Sequence, residues 1–255
     1  MQSATSFFNR ALFRKNLQRF WPLWFGYTLL WLLILPLTLL NRLSNASRHI
    51  FVEIGSLLRE EISHDVLATG AYGGLAMAAV FGIFFAMAMF SYLTAPRATQ
   101  GFHSMPVRRE TLYATNYLAG LVCMVSSIVL AFALAGVTAA LFDALDLAAF
   151  GTACLAAVLA VVFFYSFAVL CMMFTGQILA APVFYGILNF LAVGMEYLVR
   201  NFAGTFLYGY SGYMAPETFT ILSPLWRLGQ ALSVRSAPDA DLLLSDGTRQ
   251  IVSSG

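Results

Sequence analysis

The chain has 255 residues, of which 60% are apolar and only 10% charged, where a soluble domain carries about 45–50% and about 25%. A chain of this length cannot hide that excess in a larger core, because its surface must still be covered by polar groups. The composition argues against a soluble enzyme, a disordered tail and a nucleic-acid-binding domain together. It defines an all-α polytopic membrane protein whose partner is the lipid bilayer; the net charge of +2 says little, and the distribution of charge says more.

Residues 1–19 do not form a cleaved signal peptide, since the basic stretch is long and no small-x-small cleavage site follows the apolar run. Phe7, Phe8, Leu12, Phe13 and Leu17 recur at helical spacing with Arg10, Arg14, Lys15 and Arg19 between them. That pattern predicts a basic amphipathic helix on the cytoplasmic face of an anionic membrane. The plainer alternative is a frayed basic terminus that only fixes topology.

Five apolar segments follow, and they predict five transmembrane helices within residues 20–198: Phe20–Leu40, Ala71–Ala95, Tyr117–Phe142, Ala149–Thr175 and Ile178–Leu198. Each is near 20 residues or longer, enough for about 30 Å of helix, and none alternates with period two as a barrel strand would. Pro182 interrupts the fifth, where with Asn189 it predicts a kink lining a substrate path or, more simply, a helix contact. Glu196 falls near the outer end of the same segment; an intramembrane carboxylate is a functional candidate, although interfacial water is within its reach there.

With the N-terminus inside, the inner segments carry Arg10, Arg14, Lys15, Arg19, Arg97, Arg108 and Arg109 against Glu110 alone. The outer side holds as many cations, but its segments are longer and it carries the other eleven carboxylates, counting Glu196 at the outer end of the fifth span. Basic density near the spans therefore favours a cytoplasmic N-terminus in a multi-pass plasma-membrane protein. Residues 199–255 then lie outside the cell, and a tail of this kind after an odd number of spans predicts a fragment lacking a sixth span.

Little points to chemistry within the chain. Its single lysine, Lys15, follows Arg14, so the Gly-Lys of a phosphate-binding P-loop is absent. Cys123, Cys154 and Cys171 lie singly in apolar segments, as buried thiols do. The histidines His49, His64 and His103 are far apart, and no Cys/His spacing fits a zinc site. There is no His-Glu-x-x-His or Gly-x-Ser-x-Gly motif. Asp143 and Asp146 read as a solvated turn between spans. Ser126, Ser127, Tyr165 and Ser166 are polar groups expected to bond locally or between helices. The Gly-x-x-x-Gly pair Gly70/Gly74 is only a weak dimerisation signal.

The most informative stretch is the inner connection 96–116. Ser91-Tyr92 ends the second span; Arg97 follows, then Phe102-His103-Ser104-Met105-Pro106-Val107-Arg108-Arg109-Glu110, and Asn116 opens the third span. Pro106 predicts the start of a short basic helix, shaped either to dock in a groove of another protein or merely to enforce topology. This pattern, preceded by an amphipathic N-terminal helix, resembles the exporter-type permeases of bacterial ATP-binding-cassette (ABC) transporters.

The resemblance implies a permease subunit paired with a second half or a second copy, and a separate ABC ATPase on its cytoplasmic face. It implies that Phe102, His103, Met105, Pro106, Arg108 and Arg109 form the coupling helix, with Arg97 anchoring its approach. No cofactor is expected in this chain, ATP and Mg belonging to the ATPase. The five predicted spans depart from the six of such a half. An ion-gradient-driven transporter and a non-transporting scaffold or sensor are the competing readings.

Overall fold

The structure, a computed structural model, describes residues 9–49, 55–93, 109–206 and Ser223. The described residues form helices and turns with no strand, as the sequence predicts. They divide into two compact units, residues 1–185 and 186–255.

In chain order, α1 spans Arg10–Arg19, α2 Trp21–Leu32, α3 Thr38–His49, α4 Gly55–Ala68, α5 Gly74–Phe90, α6 Arg109–Leu141, α7 Leu147–Thr175 and α8 Ala180–Phe206. Two π-turns, Leu33–Leu37 and Thr69–Gly73, join α2 to α3 and α4 to α5. The first contains Pro36. A proline inside a helix has no N–H to give and crowds the carbonyl four residues back, and a widened turn relieves that crowding.

Four helical stretches are long and apolar enough to cross a membrane: Trp21–Ser44, Ile62–Phe90, Arg109–Leu141 and Leu147–Thr175. The bent α8 makes a fifth if it counts as one span. The second therefore starts nine residues before the expected Ala71. Hydropathy assigned Ile62–Gly70 to the outer loop because of His64 and Asp65, yet the helix continues through them. A helix satisfies its own backbone and need not stop where the hydrocarbon does.

The ends of α6 and α7 have local causes. Asp143 takes a left-handed φ of 54°, Ala144 N–H bonds Ala139 C=O at 3.0 Å and Asp143 N–H bonds Ala140 C=O at 3.3 Å. These two bonds make a Schellman stop. Asp146 then caps α7, its carboxylate accepting from Ala148 N–H at 3.0 Å and Ala149 N–H at 3.4 Å. The expected turn at Asp143 and Asp146 is present, and it also terminates one span and starts the next. At the far end of α7, Gly176 supplies the left-handed residue with φ 62°.

Small residues set the packing of α5 on α7. A Cβ on Gly70 would come within 2.6 Å of the Ala153 Cβ, one on Gly74 within 2.9 Å of the Ala157 Cβ, and one on Gly82 within 3.2 Å of the Phe164 carbonyl carbon. The Gly70/Gly74 pair thus packs within the chain, against alanines of α7. On the opposite side of α7, a Cβ on Gly120 of α6 would lie 2.7 Å from Tyr165 Cζ. The dipeptide Phe164-Tyr165 is thereby held between a glycine of α5 and a glycine of α6.

Between α2 and α6, Thr28 and Ser127 hydroxyls share a 2.7 Å hydrogen bond, and Trp24 Nε1–H donates to Ser126 Oγ at 3.3 Å. Between α6 and α7, Tyr117 and Ser166 share another at 2.7 Å. The polar groups predicted within spans thus bond across helices, with the exception of Tyr165.

Candidate functional site at the basic end of the bundle

The first unit has two chemically different ends. Alternating span directions bring α1, Ser91–Leu93, the start of α6 and the turn after Gly176 to one end. The connections after α3 and α6 lie at the other. The first end carries Arg10, Arg14, Lys15, Arg19 and Arg109 against Glu110 among the described residues. The second carries Arg48, Arg59, Glu60, Glu61, Asp143, Asp146 and an Arg42–Asp65 ion pair, five carboxylates against three arginines among the described residues, with Ser63 donating to Asp146 at 3.4 Å.

At the basic end, α1 is bound to α6 rather than lying free. Asn9, which caps α1 through bonds to Ala11 N–H at 3.0 Å and Leu12 N–H at 3.3 Å, donates its own N–H to Thr115 Oγ1 at 3.2 Å. Asn16 donates its side-chain amide to Asn116 Oδ1. Asn9 and Asn16 are seven residues apart, about 10 Å along a helix, while Thr115 and Asn116 are one step of about 1.5 Å apart. Both bonds can form only if α1 crosses α6 transversely. An in-plane helix against a membrane-crossing one has that geometry.

The half-buried positions of α1 and its flanks are Asn9, Leu12, Phe13, Asn16 and Phe20, a single stripe at helical spacing. Arg10, Ala11, Arg14, Lys15, Leu17, Gln18 and Arg19 are exposed. The expected amphipathic helix forms over Arg10–Arg19; of its expected apolar stripe Leu12 and Phe13 are half-buried against the protein, Leu17 is exposed, and Phe7 and Phe8 lie outside the described residues.

Asn116 also lies beside the buried side chain of Tyr92. One side chain therefore ties α1 to α6 next to the short turn after α5. An aromatic file continues inward: Phe90 lies 6.1 Å from Tyr92 and 5.5 Å from Tyr113, Tyr113 stacks on Tyr117 at 6.1 Å, and Tyr117 lies 5.3 Å from Tyr165.

Of the predicted coupling residues, Arg109 is described; it is exposed in the first turn of α6 beside Glu110. Arg97, Phe102, His103, Met105, Pro106 and Arg108 lie outside the described residues. The sequence reading singled out Tyr92 and Asn116 as part of the motif but missed Asn9, Asn16 and Thr115. The available signal was Asn16, a polar residue placed i+3 from Phe13 and i+4 from Leu12 on the apolar stripe.

The second unit holds the other candidates. Asn189, Glu196 and Ser223 are 2%, 8% and 1% exposed. Two corrections follow. Pro182 does not kink its helix: it is the third residue of α8, in the first turn, where the missing N–H is no loss. The helix bends instead by 51° between Leu191 and Gly194. Glu196 is not near a helix end either, because α8 runs on to Phe206. Just before the bend, Ser223 Oγ donates to the Asn189 carbonyl at 2.6 Å. That carbonyl's helical partner would be the amide of residue 193, inside the bend. A side-chain hydroxyl at such a carbonyl is a recognised cause of helix bending.

Cys123 and Cys171 are buried and Cys154 half-buried, none in a disulfide. Among the described residues no group of His, Cys, Asp and Glu is placed to hold a metal ion. No family model matches the chain, and no curated protein or solved structure matches it.

Proposed function

We propose that the chain is the membrane-spanning permease subunit of an ATP-driven ABC exporter in a bacterial plasma membrane, with its basic end in the cytoplasm. The observation that carries this reading is the Asn116 tie. The connection whose sequence looks like a coupling helix runs into α6, which is tied two turns further on to the interface helix through Asn16 and Asn116, beside Tyr92. A loop that only reversed the chain would need no such tie. The basic end also meets the expectation for a cytoplasmic face.

In this reading the separate ATPase binds ATP and Mg and pushes on residues 97–109, and the tie passes the displacement to α6 and α1 together. The energetic content is a two-state preference of the spans that nucleotide on the partner biases. A second copy or a second permease half completes the path.

The test is gentle purification of the tagged full-length protein from native membranes, with co-purifying chains identified by mass spectrometry. A stoichiometric ATPase bearing a P-loop is expected, and Arg108→Glu with Arg109→Glu should release it while the permease stays inserted. Absence of an ATPase at low salt, or its retention in the doubly reversed variant, would reject the assignment.

One observation favours gradient-driven transport instead. Glu196 is buried beyond a bend in a membrane-type helix, where ionisable residues of such transporters are found. Glu196→Gln separates the two: proton- or ion-driven transport should stop, and ATP-driven transport should continue.

A further inference from the structure

A freely floating amphipathic helix holds a membrane with its apolar stripe. In α1 two residues of that stripe are taken up by the protein: Leu12 and Phe13 sit half-buried between the two anchors, Asn9 to Thr115 and Asn16 to Asn116, while Leu17 is exposed. What α1 leaves for the lipid is mostly charge. Arg10, Arg14, Lys15 and Arg19 are exposed, α1 contains no carboxylate, and among the described residues none of the four has an ion-pair partner. We infer that these four cations form a binding face for anionic phospholipid headgroups, so that α1 selects lipid by headgroup charge.

Depth supports the headgroup as the occupant. α1 ends at Arg19, and the first span begins two residues later at Trp21. Trp21 and Trp24 are 57% and 39% exposed, as an aromatic belt at the interface is. On α6, the crossing at Thr115 and Asn116 immediately precedes the apolar run from Tyr117. The four cations thus lie where hydrocarbon gives way to phosphate. Each cation near an anionic leaflet favours association on the order of fivefold. The inference needs the membrane setting but not the ATPase, so it stands or falls separately from the exporter assignment.

The two exposed tryptophans supply the readout. The full-length chain carrying Trp226→Phe is placed in nanodiscs containing phosphatidylcholine and phosphatidylglycerol, with one or the other lipid brominated. Brominated phosphatidylglycerol should quench Trp21 and Trp24 at a several-fold lower mole fraction than brominated phosphatidylcholine. Raising the salt to about 0.5 M should remove the difference, since screening then acts over only a few ångströms. Replacing Arg10, Arg14, Lys15 and Arg19 with Gln, which retains helix propensity, should also remove it at low salt. Equal quenching by both lipids in the starting protein would overturn the inference, as would a preference that survives the four replacements. A soluble polyglutamate that quells neither preference nor quenching is expected; if it abolishes the preference at micromolar concentration, the face is built for an acidic protein and the lipid assignment fails.

Discussion

The Tyr165 hydroxyl lies against Gly120, fully buried and without a hydrogen-bond partner among the described residues. A hydroxyl in that state costs free energy, and the neighbouring glycine is what makes room for it. Gly120→Ala should therefore destabilise the protein by about 1–3 kcal/mol through overpacking. Tyr165→Phe alone should be neutral or slightly stabilising. Adding it to Gly120→Ala should recover part of the loss, because the two side chains compete for one space. Unfolding in detergent measures all three, and strictly additive effects would show that the contact is not as described.

The transverse clamp of α1 predicts a coupled pair. Asn16→Ala and Asn116→Ala should interact by about 0.5–1.5 kcal/mol in a double-mutant cycle. Asn16→Ala should also speed tryptic cleavage at Arg14 and Lys15, since a released helix frays. Unchanged cleavage would mean that α1 is held by something other than this bond.

The cap on α7 makes a conventional prediction for an unconventional place. Asp146→Ala should cost about 0.5–2 kcal/mol, and Asp146→Asn should retain most of the stability because its amide oxygen can still accept from the first turn. If the asparagine variant is as unstable as the alanine variant, the charge or the Ser63 contact matters more than the cap.

The bend in α8 depends on Ser223. Ser223→Ala should raise deuterium uptake in the segment 189–197 and cost roughly 0.5–1.5 kcal/mol, the net worth of a typical intramolecular hydrogen bond. Ser223→Thr should behave as the native protein. Identical exchange in the alanine variant would uncouple the hydroxyl from the bend.

The end of span three and both ends of span four were legible to within two residues, because Asp146 and Gly176 are chemical start and stop signals rather than averages of hydropathy, whereas α6 begins at Arg109, eight residues before the expected Tyr117. The second was not: hydropathy reports where water begins, and His64 and Asp65 ride on a helix that continues regardless. Pro182 misled because proline breaks helices only in their interior. The Gly70/Gly74 pair announced a close approach without naming the partner, which proved to be a run of alanines eighty residues further on. At the candidate site, Tyr92, Arg109 and Asn116 were visible in the motif. The bond that organises them was not, since it joins residues a hundred positions apart and leaves only an asparagine on an apolar stripe as its trace.

The alanine run has one more implication. Ala149, Ala153 and Ala157 repeat every four residues, so the notches at Gly70 and Gly74 would accept α7 displaced by one helical turn, about 5.4 Å, with alanine again opposite each glycine. Gly82 would then face Ala160, equally small. On this side α7 is a ruler with identical graduations and no marked zero. The mark is on the other side, where the displaced register would present Val161 to Gly120 in place of Tyr165 and leave an aromatic-sized hole. Tyr165 against Gly120, together with the Tyr117–Ser166 and Ser63–Asp146 hydrogen bonds, thus marks the register that the alanines alone leave open.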